Sequence, residues 1–150
     1  MLQPGAAAPA IELPDIDGTT QTPLSGLGKG PLVVAFYKVG CPTCQLTLPF
    51  LERLAGSVSL VGVSQDDARD SREFNERCGI TFPTLLDARP YPASNAYQIT
   101  YVPSLFVIES DGRVSFAVNG FSKAALEKLG DRFGVPVFRD TDHVPELRPG

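Results

Sequence analysis

The sequence predicts an α/β fold with a central mixed β-sheet flanked by helices. Two strand-like runs each followed by a helix-like segment, and a strand hairpin followed by a closing helix, carry that expectation. With 150 residues and 43% apolar content, the chain can bury one core and is too short for two ordinary domains. A single domain over 1–150 is therefore expected, with an N-terminal wrapping segment at 1–30 and a C-terminal tail at 135–150 belonging to it.

Residues 1–30 are rich in Pro, Gly and Thr, with Asp17-Gly18 as a turn signal, and suit a wrapping segment with a short hairpin. Residues 32–37 (LVVAFY) form a continuous apolar run, the pattern of a central strand buried on both faces. A helix over 42–54 follows, with Leu46, Phe50, Leu51 and Leu54 as its apolar stripe and Pro49 predicting a kink. Residues 60–64 (LVGVS) read as a second buried strand. Asp66 and Asp67 then open a helix reaching Cys78, which Gly79 stops.

The stretch 80–100, with Pro83, Pro90 and Pro92, reads as irregular apart from a short helix near 93–97. Residues 104–108 (SLFVI), the Asp111-Gly112 turn and residues 114–118 form a hairpin. Ser122 can cap a final helix over 123–133, with Leu126, Leu129 and Phe133 at helical spacing. The remainder, VPVFRDTDHVPELRPG, is too broken by Pro for another helix.

A formal net charge of −4 argues against a basic surface for phosphates or anionic lipid, so neither nucleic acid nor membrane is an expected partner. No run of about 18 consecutive apolar residues occurs. The opening MLQPGAAAPAIELPDIDG has no Lys or Arg to head a signal peptide, and a cytoplasmic location is expected. Three cysteines are too few and too uneven for a structural disulfide framework, so a close pair points to catalysis or metal binding.

That pair is Cys41-Pro42-Thr43-Cys44, directly after a buried strand and directly before a helix. Pro42 fits the first helical position, where its missing N–H is no loss, which makes Cys41 the N-cap. A sulfur there can accept the N–H groups of Thr43 and Cys44, and the positive end of the helix dipole favours its thiolate. Cys41 is thus the expected exposed nucleophile. Cys44, one turn inside the helix, is the expected resolving thiol. Two alternatives compete: a zinc site built from Cys41, Cys44, Cys78 and His143, which lacks a second close-spaced pair, and two unrelated free cysteines.

The segments APAIELPDIDG, FYKVGCPTCQLTLPFLERL, ITFPTLLD and VPSLFVIESDGRV span nearly the whole chain. They resemble the thioredoxin superfamily, more closely the redoxin branch shared by cytochrome-maturation thiol oxidoreductases and peroxiredoxins of the alkyl hydroperoxide reductase type. The resemblance implies a thioredoxin fold with an N-terminal extension. It also implies a cis Val102-Pro103 turn facing the cysteines, where the Val102 backbone would pair with a substrate peptide. Pro49 resembles the kinking proline of the family's active-site helix.

There are departures from the pattern. The tryptophan expected before the first cysteine is Gly40, and the buried aspartate of the preceding strand is Ala35. The acidic residue expected three after the second cysteine is Thr47. No obvious carboxylate is then available to take the Cys44 proton, which leaves solvent or slow exchange. Lys38, together with Pro42 and Thr43, could support the thiolate, although a lysine there is more often simply solvated.

The function implied is a thiol–disulfide oxidoreductase. It would act on a protein or small-molecule disulfide or dithiol with an external thiol reductant, without cofactor or metal, as a monomer or homodimer. A peroxiredoxin-like thiol peroxidase is the alternative. Its P-x-x-x-T-x-x-C pattern is missing, Lys38 stands three before Cys41, and its peroxide-polarising arginine position falls near Pro103. Cys78 could resolve such a peroxidase or simply pack a helix end, and His143 reads as a surface residue. A non-catalytic binding module on the same fold is a further class.

Overall fold

The computed structural model describes residues 1–18, 21–23 and 30–150. Its first half contains β1 (Glu12–Pro14), β2 (Gln21–Pro23), β3 (Leu32–Tyr37), α1 (Pro42–Glu52), β4 (Ser59–Ser64) and α2 (Ala68–Cys78). Its second half contains β5 (Thr84–Leu86), α3 (Pro92–Ala96), β6 (Ser104–Ile108), β7 (Val114–Asn119), β8 (Phe121–Ser122), α4 (Lys123–Phe133) and β9 (Leu147–Arg148).

The main sheet has the order β5-β4-β3-β6-β7. Strands β3, β4 and β5 are parallel, while β6 and β7 run antiparallel, so the sheet is mixed as the sequence predicts. Successive side chains of a strand point to opposite faces, and β3 uses both. Val33, Ala35 and Tyr37 join Leu48, Leu51, Leu54, Phe74, Leu126 and Leu129, which come from α1, α2, α4 and the turn after α1. Leu32, Val34 and Phe36 join Leu13, Ala93, Tyr97 and Phe106 on the other face. An apolar run without alternation therefore becomes the centre of the molecule.

The helix ends follow their signals. Asp67 caps α2 by accepting the Asp70 N–H (2.8 Å), and Gly79 closes it at φ 69°. Ser122 caps α4 by accepting the Ala125 N–H (3.2 Å). Within the N-terminal segment, β1 pairs antiparallel with β2, as the expected hairpin; positions 19–20 and 24–29 of that segment lie outside the described residues.

Four details differ from the expectation. Helix α1 ends at Glu52, and Leu54 sits in the following turn, its N–H donating to the Leu51 carbonyl (2.9 Å). The buried face of α1 is Thr43, Cys44, Thr47, Leu48 and Leu51, with Leu46 and Phe50 only half-buried. Burial of the threonines is tolerable because their hydroxyls are satisfied: Thr47 donates to the Thr43 carbonyl and Thr43 to the Pro149 carbonyl, both at 2.7 Å. Within the stretch read as irregular lies β5, whose three residues pair with Gly62, Val63 and Ser64 of β4. A cis bond at Arg89-Pro90 accompanies the expected one at Val102-Pro103.

The segment after α4 is also more ordered than its prolines suggest. Arg53, at the end of α1, donates to both oxygens of Asp142 (2.6 and 3.2 Å) and to the Val137 carbonyl (2.7 Å). The chain then returns as β9 to pair antiparallel with β8.

Candidate active site

Strand β3 delivers the chain to a short exposed loop, and α1 begins immediately after it. Cys41 occupies the N-cap in an extended conformation (φ −90°, ψ 114°) with Pro42 at the first helical position. The Cys44 N–H donates to Cys41 Sγ (3.2 Å), and the Cys41 N–H donates to the Lys38 carbonyl (3.3 Å). Of the two amides expected on the sulfur, the Cys44 amide makes the bond. The first turn of α1 contains no acidic residue, so nothing there offsets the positive end of the helix dipole.

The two sulfurs occupy different environments. Cys41 is half-exposed and Cys44 fully buried, and both stand as free thiols. Burial first, and then the facing Cys41 sulfur, push the Cys44 thiol well above its ordinary range, against a smaller downward pull from the Lys38 backbone. An accessible sulfur beside helix amides and a shielded thiol behind it have the geometry for two successive thiol exchanges.

Val102 and Pro103 face this end of α1. The Cys41 thiol donates to the Val102 carbonyl at 3.5 Å, and the Pro103 carbonyl accepts the Gly120 N–H (2.8 Å). Lys38 is exposed, and its backbone carbonyl is what meets Cys41. Pro42 is exposed as well. Thr43 is buried and directs its hydroxyl to Pro149 rather than to the sulfur. Thr47, where the resemblance would put an acid, is fully buried.

A carboxylate not foreseen for this site does stand near it. Asp66 Oδ2 accepts the Val39 N–H (2.8 Å), while Gln45 Nε2 donates to the Val39 carbonyl (3.0 Å). Both backbone groups of Val39 are thus held, and the loop before Cys41 with them. Asp66 also adds a small upward push on the Cys44 thiol, behind the causes already named. The signal was available in the register: parallel pairing of Tyr37 with Ser64 brings position 39 beside position 66.

Cys78 ends α2 half-buried against the α1–α2 apolar cluster, its thiol raised by burial against a smaller opposing effect of Arg77. His143 is exposed. Among the described residues, no group of three or more His, Cys, Asp or Glu side chains is placed to hold a metal ion, so the four proposed zinc ligands do not assemble. No helix among those residues is long and apolar enough to cross a membrane.

The sequence profile of the AhpC/TSA family matches residues 4–117. Thiol-disulfide oxidoreductase ResA of Geobacillus kaustophilus is 30% identical over 131 residues, covering 83% of this chain and 74% of that protein. Among solved structures, the thioredoxin domain of thiol-disulfide oxidoreductase BVU-2223 from Bacteroides vulgatus superposes with a TM-score of 0.75 at 21% identity, covering 89% of this chain and 99% of that one. Peroxidoxin BcpB from Mycobacterium tuberculosis does so with a TM-score of 0.73 at 24% identity, covering 89% and 96%. The fold is that of the thioredoxins.

Proposed function

The chain belongs to the AhpC/TSA family, and from that membership and the cysteine geometry we infer that it is a thiol–disulfide oxidoreductase. The observation that carries the reading is the unequal pair: a half-exposed Cys41 capping α1 and a buried Cys44 bonded to it through its amide. The oxidoreductase name of the Geobacillus relative supports it.

Cys41, as thiolate, attacks one sulfur of a substrate disulfide. The substrate S–S bond breaks, its leaving sulfur takes a proton, and a mixed disulfide holds substrate to Cys41. Cys44 then loses its proton and attacks the Cys41 sulfur. The second substrate thiol departs, leaving a Cys41–Cys44 disulfide and a substrate reduced by two electrons and two protons. An external thiol reductant returns the enzyme to the dithiol, and the reverse order oxidises a substrate dithiol. In this scheme Val102 and Pro103 bind substrate, while Lys38, Pro42 and Thr43 shape the ground around the sulfur.

Redox titration in glutathione buffers tests the reading. A reversible two-electron couple between about −270 and −120 mV, absent when either cysteine is replaced, is the expected result. No such couple would leave the fold as a binding module.

A Mycobacterium tuberculosis relative, 28% identical over 132 residues, carries a peroxiredoxin name and favours a second reading, a thiol peroxidase. A hydrogen peroxide pulse on the same reduced sample, followed by mass spectrometry, separates the two. Rapid oxidation by substoichiometric peroxide, with a bridge to Cys78, would make the protein a peroxidase. The cytoplasmic placement belongs to this proposal also; cysteines that form no framework support it, and cell fractionation tests it.

A further inference from the structure

The chain's own residues 146–150 run along β8 to the Cys41 end of α1. The Lys123 N–H donates to the Glu146 carbonyl (2.9 Å), and Leu147 and Arg148 pair antiparallel with Ser122 and Phe121. Beyond that pairing, the Pro149 carbonyl accepts the Thr43 hydroxyl (2.7 Å) inside the first turn of α1. Gly150 lies so close to the Val102 carbonyl that a Cβ there would collide with it. That carbonyl is the group that accepts the Cys41 thiol. Gly120, at φ 70°, closes the strip from below: a Cβ on it would stand 2.7 Å from the Arg148 carbonyl.

The segment is held almost entirely through backbone groups. All of residues 145–150 are exposed, and Leu147, its one large apolar side chain, keeps 73% of its surface in solvent. Backbone pairing at a strand edge tolerates many sequences, and a segment that buries no side chain can be lifted without opening a core.

We propose that the edge of β8, Gly120 and the Val102 carbonyl form a docking strip for an extended segment of a protein substrate, and that residues 147–150 are its resident occupant. The proposal rests on the thiol–disulfide reading above. A protein disulfide must displace these residues to lay its backbone beside Cys41. A small disulfide needs only the exposed side of the sulfur and can react with the segment in place. The segment thereby sorts substrates by size and by their ability to compete for the strip.

The test compares the full chain with Gly150→Val, whose added side chain meets the Val102 carbonyl, and with Arg148→Pro, which removes the N–H available for pairing with β8. Insulin serves as the protein disulfide and cystamine as the small one. Both variants are expected to reduce insulin about fivefold faster than the unsubstituted chain, with cystamine exchange changed less than about twofold, as for removal of a tethered competitor. The peptide VPELRPG added at millimolar concentration should return Gly150→Val toward the slower insulin rate. Equal insulin rates in all three chains, with cystamine exchange intact, overturn the strip proposal and leave the redox reading standing. Failure of the unsubstituted chain to exchange with either disulfide overturns the redox reading and this proposal with it.

Discussion

Helices α1 and α2 are each 11 residues long, and each is capped by a side chain that accepts the N–H three residues on. In α2 the cap is the carboxylate of Asp67, a second acid, Asp70, stands in the first turn, and Arg77 stands in the last. Fixed charges therefore complement both ends of its dipole. In α1 the cap is the sulfur of Cys41, with no acid in the first turn and no base in the last. One helix terminus is met by fixed charges, and the other is left without any. On the thiol–disulfide reading, the same local device serves stability in one place and chemistry in the other.

The largest break in this comparison is Cys41→Ser. A hydroxyl still caps the helix, so the fold should survive, while disulfide exchange falls to background in an insulin or cystamine assay. Cys44→Ser should instead accumulate the Cys41 mixed disulfide, visible by mass spectrometry.

A second prediction concerns pH. The Cys44 thiol is raised by burial first and then by the Cys41 sulfur, so the neutral form prevails at neutral pH. Closure of the mixed disulfide by Cys44 should then accelerate about tenfold per pH unit between about pH 7 and 9, read by stopped-flow release of substrate thiol. The stability linkage has the matching sign. The preference for neutral Cys44 supports the fold of the reduced protein fully below the ordinary thiol value, and that support is lost as pH rises through the raised one. Alkaline unfolding of the reduced chain should be delayed by Cys44→Ala, apart from the fixed cost of the cavity it leaves.

On the α2 side, Asp67→Ala should cost about 1 kcal/mol in urea unfolding and leave exchange rates unchanged. The smallest effect is expected from Pro42→Asp, which gives α1 a fixed carboxylate like those of α2. Alkylation of Cys41 by iodoacetamide at neutral pH should slow about twofold to threefold. An unchanged rate would mean that the bare terminus of α1 does not assist the sulfur.

How far the sequence carried these conclusions depends on the range of the forces involved. Strand β3 and helix α4 were legible to the residue, because an unbroken apolar run and a Ser cap with a helical stripe are local signals. The Cys41 cap was legible for the same reason. Strand β5, with three residues, is too short for any periodicity, and only its pairing with β4 defines it. On α1 the stripe was misjudged toward Leu46 and Phe50, because the burial of Thr43 and Thr47 depends on hydroxyl partners, one of them 106 positions away. Asp66 was read only as a helix-starting residue, because its bond to Val39 joins the segments following β3 and β4, which only the parallel register of those strands brings together. The occupied strip at Val102 was invisible for a similar reason: nothing local in VPELRPG announces an edge to pair with.

The clamp of Arg53 on Asp142 gives that strip an arithmetic of its own. Both side chains are largely shielded, and the Arg53 hydrogen bonds first, then the Arg139 backbone, hold the Asp142 carboxyl down to about 2. The root of the segment thus stays anchored across the ordinary pH range, and only a few residues separate it from Val102. A short tether of this kind presents the segment to the strip at an effective concentration in the millimolar range. Contacts with a dissociation constant no tighter than about a millimolar then suffice to keep the strip filled. A protein dissolved at micromolar concentration competes poorly against such an occupant. A partner that is itself held nearby, or that presents several disulfides on one surface, meets it on equal terms.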